Sequence, residues 1–136
     1  METKTIHQTV LLRNPARAVF DAWLDTKQHA AFTGMTADIS REVGAKFHIG
    51  HEQANITGRN LELCLDRRLV QSWRIDIEGW PADHESRLTL TLTEDDGKTR
   101  VEMCHENVPA ICATPIAEGW HRFYWQPLQR FLEAQS

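Results

Sequence analysis

The sequence predicts an α+β domain of two layers, in which one antiparallel sheet packs against a single long helix. Three observations predict it: about six strand-like segments follow one another with short turns, a long C-terminal segment has helical apolar spacing, and one face of each is apolar. Consecutive strands joined by short turns pair antiparallel. An apolar sheet face and an apolar helix stripe must both leave water, so we expect them to bury each other.

The chain opens with a strand and two short helices. Apolar and polar residues alternate loosely over Thr5–Leu12, which predicts a strand. Asn14 can cap the helix that follows and proline suits its first position, so a helix is predicted over Pro15–Leu24. A second short helix is predicted over Thr26–Phe32, with its threonine as the cap and Gly34 ending it.

The middle of the chain reads as strands separated by turns. The predicted strands are Ala37–Glu42, Ala45–Gly50, Asn55–Cys64, Arg68–Asp76, Glu85–Thr93 and Thr99–His105. The clearest is Glu85–Thr93, where leucines alternate with threonines as in a strand with one buried face. Asp96-Gly97 is typical of the tight turn of a hairpin, and it joins the last two strands.

The last element is a long amphipathic helix. Thr114-Pro115 is a second cap-plus-proline start, and the helix is predicted to reach Ala134. Apolar residues at helical spacing form its stripe: Ile116, Trp120, Phe123, Tyr124, Pro127, Leu128, Phe131 and Leu132. Pro127 lies inside the helix and is predicted to kink it. Trp120 and Leu128 are expected to be buried.

Composition narrows the classes of function. The chain has 136 residues, which favours a single domain over residues 1–136. Its net charge of −4 argues against a nucleic-acid partner, and the longest apolar runs fall short of the ~20 residues of a membrane span. Cys64, Cys104 and Cys112 are an odd number without CxxC spacing, which favours free thiols and a cytoplasmic location.

Short motifs spread over nearly the whole chain resemble one known family. They are Asn14-Pro15, Val19-Phe20-Asp21-Ala22-Trp23, Gly44 before Lys46-Phe47, Gly58 before Leu61-Glu62, Leu69-Val70-Gln71-Ser72-Trp73, Gly97-Lys98-Thr99 and Glu118-Gly119-Trp120. Their order and spacing resemble the SRPBCC superfamily of START/Bet v 1-like helix-grip proteins. Within it, the chain is similar to the AHSA-like subfamily, named for the activator of the ninety-kilodalton heat-shock chaperone ATPase.

The resemblance implies a sheet of about six to seven strands wrapped around the long helix, with a hollow between them that binds a small hydrophobic, planar ligand. The residues expected to bind it are Phe32, Phe47, Asn60, Gln71, Trp73, His105, Trp120 and Tyr124. Gln71 stands where the family commonly has an aromatic residue, and Asn60 where it has an apolar one. We therefore expect a more polar hollow than is usual, with Gln71, His105 and Tyr124 orienting the ligand.

Other interpretations of the same residues stay open. The aromatic side chains could simply fill the core. A co-chaperone-like interaction module, with a chaperone as partner, is the main alternative to ligand binding. A cavity enzyme with His105 as acid or base is the third. Gln71 and His105 are costly to bury, so either the protein or a ligand must satisfy them.

The sequence indicates neither a cofactor nor a metal. His48-Ile49-Gly50-His51 spells a synthetase signature, but that motif needs a nucleotide-binding parallel α/β domain. A metal site at His48, His51 and Glu52 lacks a second ligand cluster with zinc spacing. The oligomeric state is left open between monomer and homodimer.

Overall fold

The computed structural model describes residues 1–51 and 54–135, apart from the side chain of His51. The chain starts with β1 (Thr3–Leu12), α1 (Ala16–Leu24) and α2 (Thr26–Thr33). Six strands follow: β2 (Thr36–Asp38), β3 (Lys46–His51), β4 (Ala54–Cys64), β5 (Arg68–Ile75), β6 (Ser86–Asp95) and β7 (Lys98–Pro109). A 3₁₀ turn (Ala110–Cys112) then leads into α3 (Ala113–Gly119), a π-helical segment (Trp120–Trp125) and α4 (Gln126–Ala134).

The strands form one antiparallel sheet of seven strands in the order β1-β7-β6-β5-β4-β3-β2. Strands β2 to β7 pair with their chain neighbours, as their short connections require, and β1 closes the sheet on β7. The predicted fold class is confirmed: a seven-stranded antiparallel sheet, two short helices after the first strand and a long C-terminal helix. The strand predicted to end at His105 continues to Pro109.

The start of α1 differs from the prediction. Pro15 occupies the N-cap position, and the N–H of Ala16 donates to Oε1 of Glu94 at 2.8 Å. Asn14 instead donates its side-chain N–H to the carbonyl of Leu132 at 3.1 Å. The end of the first strand is therefore held to both β6 and α4.

The cap of α2 is also displaced from its predicted position by one residue. The carboxylate of Asp25 accepts from the N–H of Gln28 at 2.9 Å, as an N-cap does. Thr26 donates its hydroxyl to the carbonyl of Ile39 and so fastens the loop after β2. Gly34 ends the helix as predicted, with a φ of 72° that favours glycine.

The C-terminal helix accommodates its proline through a wider turn. The π-helical segment ends at Trp125, two residues before Pro127. The N–H of Gln126 donates to the carbonyl of His121, five residues earlier. Proline disturbs the backbone of the preceding turn, and an extra residue in that turn relieves the disturbance. The wider turn brings Trp125 into the core and leaves Phe123 37% exposed. The prediction that Phe123 belongs to the buried stripe is therefore wrong.

The core lies between one face of the sheet and the helices. Leu128 and Trp120 are 0% and 2% exposed, which confirms their predicted burial. Leu88, Leu90 and Leu92 are buried at alternate positions of β6, as the alternating pattern predicts. Among the described residues, no helix combines the length and the apolar character that a membrane crossing requires.

Candidate functional site

A cavity of about 410 Å³ lies between the C-terminal helix and strands β4 and β5. Its lining consists of Met35, Ala54, Ile56, Trp73, Ile75, Ile77, Pro115, Ile116, Gly119, Trp120, Arg122, Phe123 and Tyr124. Pockets for small ligands have volumes of roughly 300–1,000 Å³ and mostly apolar walls with a few polar groups. This cavity has the size and the lining of such a pocket.

Both walls follow from the local structure. Trp73 and Ile75 share one face of β5 because side chains alternate along a strand, and Ile56 of β4 pairs directly with Ile75. On the other wall, α3 contributes Ile116, and the π-helical segment that follows contributes Trp120 and Tyr124. The sheet and the helix therefore meet through aliphatic and aromatic side chains.

Three of the eight residues predicted to bind a ligand line this cavity: Trp73, Trp120 and Tyr124. The other five are Phe32, Phe47, Asn60, Gln71 and His105, and all are buried outside the lining. Their predicted role in binding stays a prediction. Their contacts show what each of them does in the structure.

His105 lies in a hydrogen-bonded group that we call the His105 network, with Ser86, Trp120 and the carbonyl of Trp73. Ser86 donates its hydroxyl to the Trp73 carbonyl at 2.7 Å and contacts Nε2 of His105 at 2.8 Å. Trp120 donates its indole N–H to Nδ1 of His105 at 3.1 Å. Both imidazole nitrogens therefore have hydrogen-bond partners within the core.

These contacts fix the protonation of His105. Nδ1 accepts from Trp120, and the single proton of the Ser86 hydroxyl goes to Trp73, so Nε2 carries the imidazole proton and donates it. Burial lowers the pKa of His105 to about 3, which agrees with a neutral ring. A neutral, fully hydrogen-bonded imidazole outside the cavity lining is a structural group, and the geometry does not support an acid or base role.

Gln71 lies in a second group, the Gln71 network. It donates its amide N–H to Oδ1 of Asn60 at 2.9 Å, and its own oxygen lies 3.4 Å from the indole nitrogen of Trp23. Asn60 in turn donates to the carbonyls of Ser40 and Glu42. Asn60 and Gln71 pair directly across β4 and β5. The two amides thus tie the loop before β3 to the centre of the sheet.

A third group, the His29 network, has no clear signal in the sequence. Nδ1 of His29 donates to the carbonyl of Trp23 at 2.7 Å, and Nε2 accepts the hydroxyl of Tyr124 at 3.0 Å. Burial lowers the pKa of His29 to about 4 and raises that of Tyr124. Both side chains are therefore neutral near pH 7. The partners of His29 lie six residues earlier in α1 and 95 residues later in the C-terminal helix, and no local spacing marks such a pairing.

The two predicted phenylalanines pack into the same interior. The ring of Phe32 lies 5.0 Å from that of His29 and 5.8 Å from that of Tyr124, measured between centroids. Phe47 covers Gly58, where an added Cβ would lie 2.7 Å from its ring and 1.9 Å from the carbonyl of Ser72. Glycine is required at position 58 because strand and ring approach so closely.

The indole N–H groups distinguish Trp73 from the other four tryptophans. Those of Trp23, Trp80, Trp120 and Trp125 lie at hydrogen-bond distance from Gln71, the carbonyl of His84, His105 and Gln8, respectively. No described residue accepts from the N–H of Trp73, although this residue is only 4% exposed. Trp73 therefore carries an N–H without a protein partner among the described residues, and this N–H is accessible to water, since it is not one of the fully buried polar atoms that lack a partner.

Among the described residues, Arg122 is the one charged residue of the lining. It is exposed, which places it at the mouth of the cavity, and its guanidinium lies 5.2 Å from the ring centroid of Phe123. None of the ion pairs between described residues includes it. The cavity thus combines an apolar interior with a positive charge at its opening.

The described part of the chain contains no cluster of three or more histidine, cysteine, aspartate or glutamate side chains that could hold a metal ion. Of the alternative site at His48, His51 and Glu52, only the side chain of His48 lies within the described residues. Its Nε2 lies 3.2 Å from Oδ1 of Asn55.

Comparisons with known proteins agree on one family. The family described as "Activator of Hsp90 ATPase homolog 1-like protein" matches residues 13–133. A Dictyostelium discoideum protein named activator of 90 kDa heat shock protein ATPase homolog is 30% identical over 122 residues, covering 88% of this chain and 30% of the relative. A Mus musculus protein, named homolog 2 of the same activator, is 22% identical over 131 residues, covering 96% and 38%. The chain spans roughly a third of the length of these relatives.

Solved structures show the same fold. A Plasmodium falciparum protein described as an HSP90 activator has a TM-score of 0.84 at 20% identity, with 95% of this chain and 96% of that one covered. A Mesorhizobium loti protein has a TM-score of 0.86 at 18% identity, with 98% and 99% covered. The Aha1 dimer from Colwellia psychrerythraea has a TM-score of 0.79 at 12% identity, with 93% of both covered. At these identities the likeness concerns the fold alone.

Proposed function

The chain belongs to the family of Activator of Hsp90 ATPase homolog 1-like proteins, and we propose that it uses this fold to bind a small hydrophobic, planar ligand. The binding site is the cavity between the C-terminal helix and strands β4 and β5. The observation that carries the proposal is the cavity itself, an apolar pocket between the helix and the sheet that opens to solvent, which is the usual form of a small-ligand site. A space of about 410 Å³ with an apolar lining is suited to a ligand.

The aromatic walls favour a flat ligand. The rings of Trp73 and Trp120 lie 5.7 Å apart between centroids, and Trp120 lies 4.9 Å from Tyr124. Contact with the faces or edges of aromatic rings favours planar partners. The His105 and His29 networks hold Trp120 and Tyr124 in place from behind, so the walls are arranged before the ligand enters.

Native mass spectrometry of freshly purified protein tests whether a small molecule copurifies with it. A titration with hydrophobic dyes and flat aromatic compounds, followed by tryptophan fluorescence, then tests binding directly. We expect a saturable change of fluorescence. Absence of any saturable response across a broad panel of compounds would overturn the proposal.

A matched pair of variants locates the binding. Ile116→Phe adds bulk to the cavity wall, where Ile116 is only 7% exposed, and it is expected to weaken binding at least about tenfold by filling the space. Ile111→Phe makes the same substitution at a position that is 80% exposed and outside the lining, and it should bind as the wild type does. Equal affinities of the two variants would place the ligand elsewhere.

A second candidate function is interaction with a chaperone, and it is supported by the names of the relatives. The curated relatives from mouse and Dictyostelium are named activators of a 90 kDa heat shock protein ATPase, and the chain corresponds to part of each. The test is the ATPase rate of a purified 90 kDa heat-shock chaperone with and without this protein. An increase supports the candidate, and an unchanged rate together with no binding by ultracentrifugation contradicts it. A cytoplasmic location goes with this candidate and stays a prediction.

A further inference from the structure

We propose that the cavity selects ligands by charge and by hydrogen-bond polarity: it binds planar aromatic carboxylates in preference to neutral or cationic analogues of the same shape. This inference rests on the proposed function, because it names the class of ligand that the same cavity takes. Three features of the lining support this inference. They are the N–H of Trp73, the positive charge of Arg122, and polar groups whose protons are already donated to other residues of the protein.

The first feature is the donor on the cavity wall. The N–H of Trp73 lacks an acceptor among the described residues, while the other four indole N–H groups lie near protein acceptors. The N–H is open to water in the free protein, so a ligand that covers it removes that water. A ligand that brings an acceptor replaces the lost hydrogen bond, whereas one without an acceptor leaves a buried donor unsatisfied. The wall therefore favours ligands that carry an oxygen or nitrogen acceptor.

The second feature is the charge at the mouth. Arg122 lines the cavity and is exposed, and none of the ion pairs formed by described side chains involves it. A guanidinium binds a carboxylate through two parallel hydrogen bonds when the geometry allows it. We expect the apolar body of a ligand to lie against the aliphatic and aromatic lining, while its carboxylate, which has two accepting oxygens, accepts from both Trp73 and Arg122.

The third feature is that the described lining offers no counter-charge to a cation. Among the described residues, the lining contains neither aspartate nor glutamate, and the hydroxyl proton of Tyr124 is donated to His29. The N–H of Trp120 is likewise donated to His105. An ammonium group in this cavity would lose its hydration and meet Arg122, so like charges exclude it.

Three naphthalene derivatives of similar shape test the proposal by calorimetric titration: naphthalene-2-carboxylate, naphthalene-2-carboxamide and 2-(aminomethyl)naphthalene. The first carries a negative charge and acceptors, the second only a neutral acceptor, and the third a positive charge. We expect the carboxylate to bind about fivefold to tenfold more tightly than the carboxamide, which is what one partly exposed charge contributes. The amine should bind most weakly.

Variants separate the two contributions. Arg122→Gln should weaken the carboxylate about fivefold and leave the carboxamide unchanged, whereas Arg130→Gln, an exposed arginine of α4 outside the lining, should change neither. Trp73→Phe keeps an aromatic ring, removes the N–H and should weaken both acceptor ligands. Raising the salt concentration should weaken only the carboxylate.

The outcomes distinguish this inference from the proposed function. Similar affinities for all three compounds, lost in Ile116→Phe, would support ligand binding and overturn the charge selection. Equal effects of Arg122→Gln and Arg130→Gln would also overturn it. No binding of any compound would overturn both proposals together.

Discussion

The hydrogen-bonded interior and the cavity lie next to each other between the same sheet and the same helix, yet they differ in chemistry. The His105, His29 and Gln71 networks contain buried histidines and amides, each with partners at hydrogen-bond distance. The cavity is lined by aliphatic and aromatic side chains, with one arginine at its mouth. Trp120 belongs to both regions, since it lines the cavity and donates to His105.

Buried polar residues therefore need not mark a binding site. A polar group that is already satisfied gives a ligand nothing to bind, and it fixes the position of its neighbours. Here the networks hold the tryptophan and tyrosine side chains that form the cavity walls. The hydrogen-bonded interior supports the cavity walls, and the apolar cavity beside it is the candidate site.

Acid should destabilise the hydrogen-bonded interior. The pKa of His29 is lowered to about 4 and that of His105 to about 3, from 6.5. Because the folded pKa lies below the unfolded one, the stabilisation is full above pH 6.5 and falls as the pH drops from 6.5 towards 4. In this range each histidine lowers the free energy of unfolding by about 1.4 kcal/mol for each pH unit of acidification. The two together therefore lower it by about 5 kcal/mol between pH 6.5 and 4.5.

Urea unfolding at several pH values between 7.5 and 4.5 measures this loss. His29→Gln should reduce the pH dependence by about half, because it removes one of two titrating groups. His121→Gln, at an exposed position of the helix, should leave it unchanged. A free energy of unfolding that stays constant down to pH 4.5 would show that the histidines are not buried as neutral groups.

Truncation should cost more in the packed interior than at the cavity. Leu128 is 0% exposed, and Leu128→Ala should lower the free energy of unfolding by about 2–5 kcal/mol, as new cavities in cores do. Ile116 already borders an open space, so Ile116→Ala should cost only about 1–2 kcal/mol, since it mainly loses the transfer term. Denaturant melts of both variants make the comparison. A loss below about 0.5 kcal/mol for Leu128→Ala would contradict the two-layer packing.

Two tryptophans of the cavity wall differ in whether their N–H groups belong to the hydrogen-bonded interior. Trp120→Phe and Trp73→Phe remove the same atoms, but only the former leaves a protein acceptor, Nδ1 of His105, without its donor. We expect Trp120→Phe to be more destabilising by about 1–2 kcal/mol, the cost of an unsatisfied buried group. Thermal unfolding at pH 7.5 measures the difference. Equal losses would mean that the hydrogen bond from Trp120 to His105 contributes nothing to stability.

Gln71 should affect ligand affinity least. Its amide bonds to Asn60 and lies outside the cavity lining, so Gln71→Leu should change the affinity for an aromatic probe less than about twofold while lowering stability. Fluorescence titration of the folded variant measures this. A loss of binding in Gln71→Leu, with binding retained in Trp73→Phe, would mean that the hydrogen-bonded interior, and not the cavity, binds the probe.

Most of the fold could be predicted because its signals are local. The alternation of leucine and threonine in β6 and the Asp96-Gly97 turn depend on neighbouring residues only. The π-helical segment could not be predicted from a period of 3.6 residues, which places Phe123 in the buried stripe and omits Trp125. Its cause, a proline inside the helix, was visible, but the position of the extra residue depends on tertiary packing.

The candidate site could be predicted only in part. Trp73, Trp120 and Tyr124 were identified from alternation, helical spacing and the family resemblance, and they line the cavity. The aliphatic residues and Arg122 were not, because a cavity arises where side chains fail to fill space, and no residue type marks that failure. His105 and Gln71 drew attention for their polarity, yet their partners, Ser86 and Asn60, lie on neighbouring strands.

Nuclear magnetic resonance of ¹⁵N-labelled tryptophan tests most directly that the cavity, and not the hydrogen-bonded interior, receives the ligand. The five indole N–H signals are assigned with single Trp→Phe variants, and naphthalene-2-carboxylate is then added in steps. We expect the N–H of Trp73 to shift most and to form a new hydrogen bond, while those of Trp23, Trp80 and Trp125 keep their protein partners and shift little. Largest shifts at Trp23 or Trp125, with Trp73 unchanged, would contradict it.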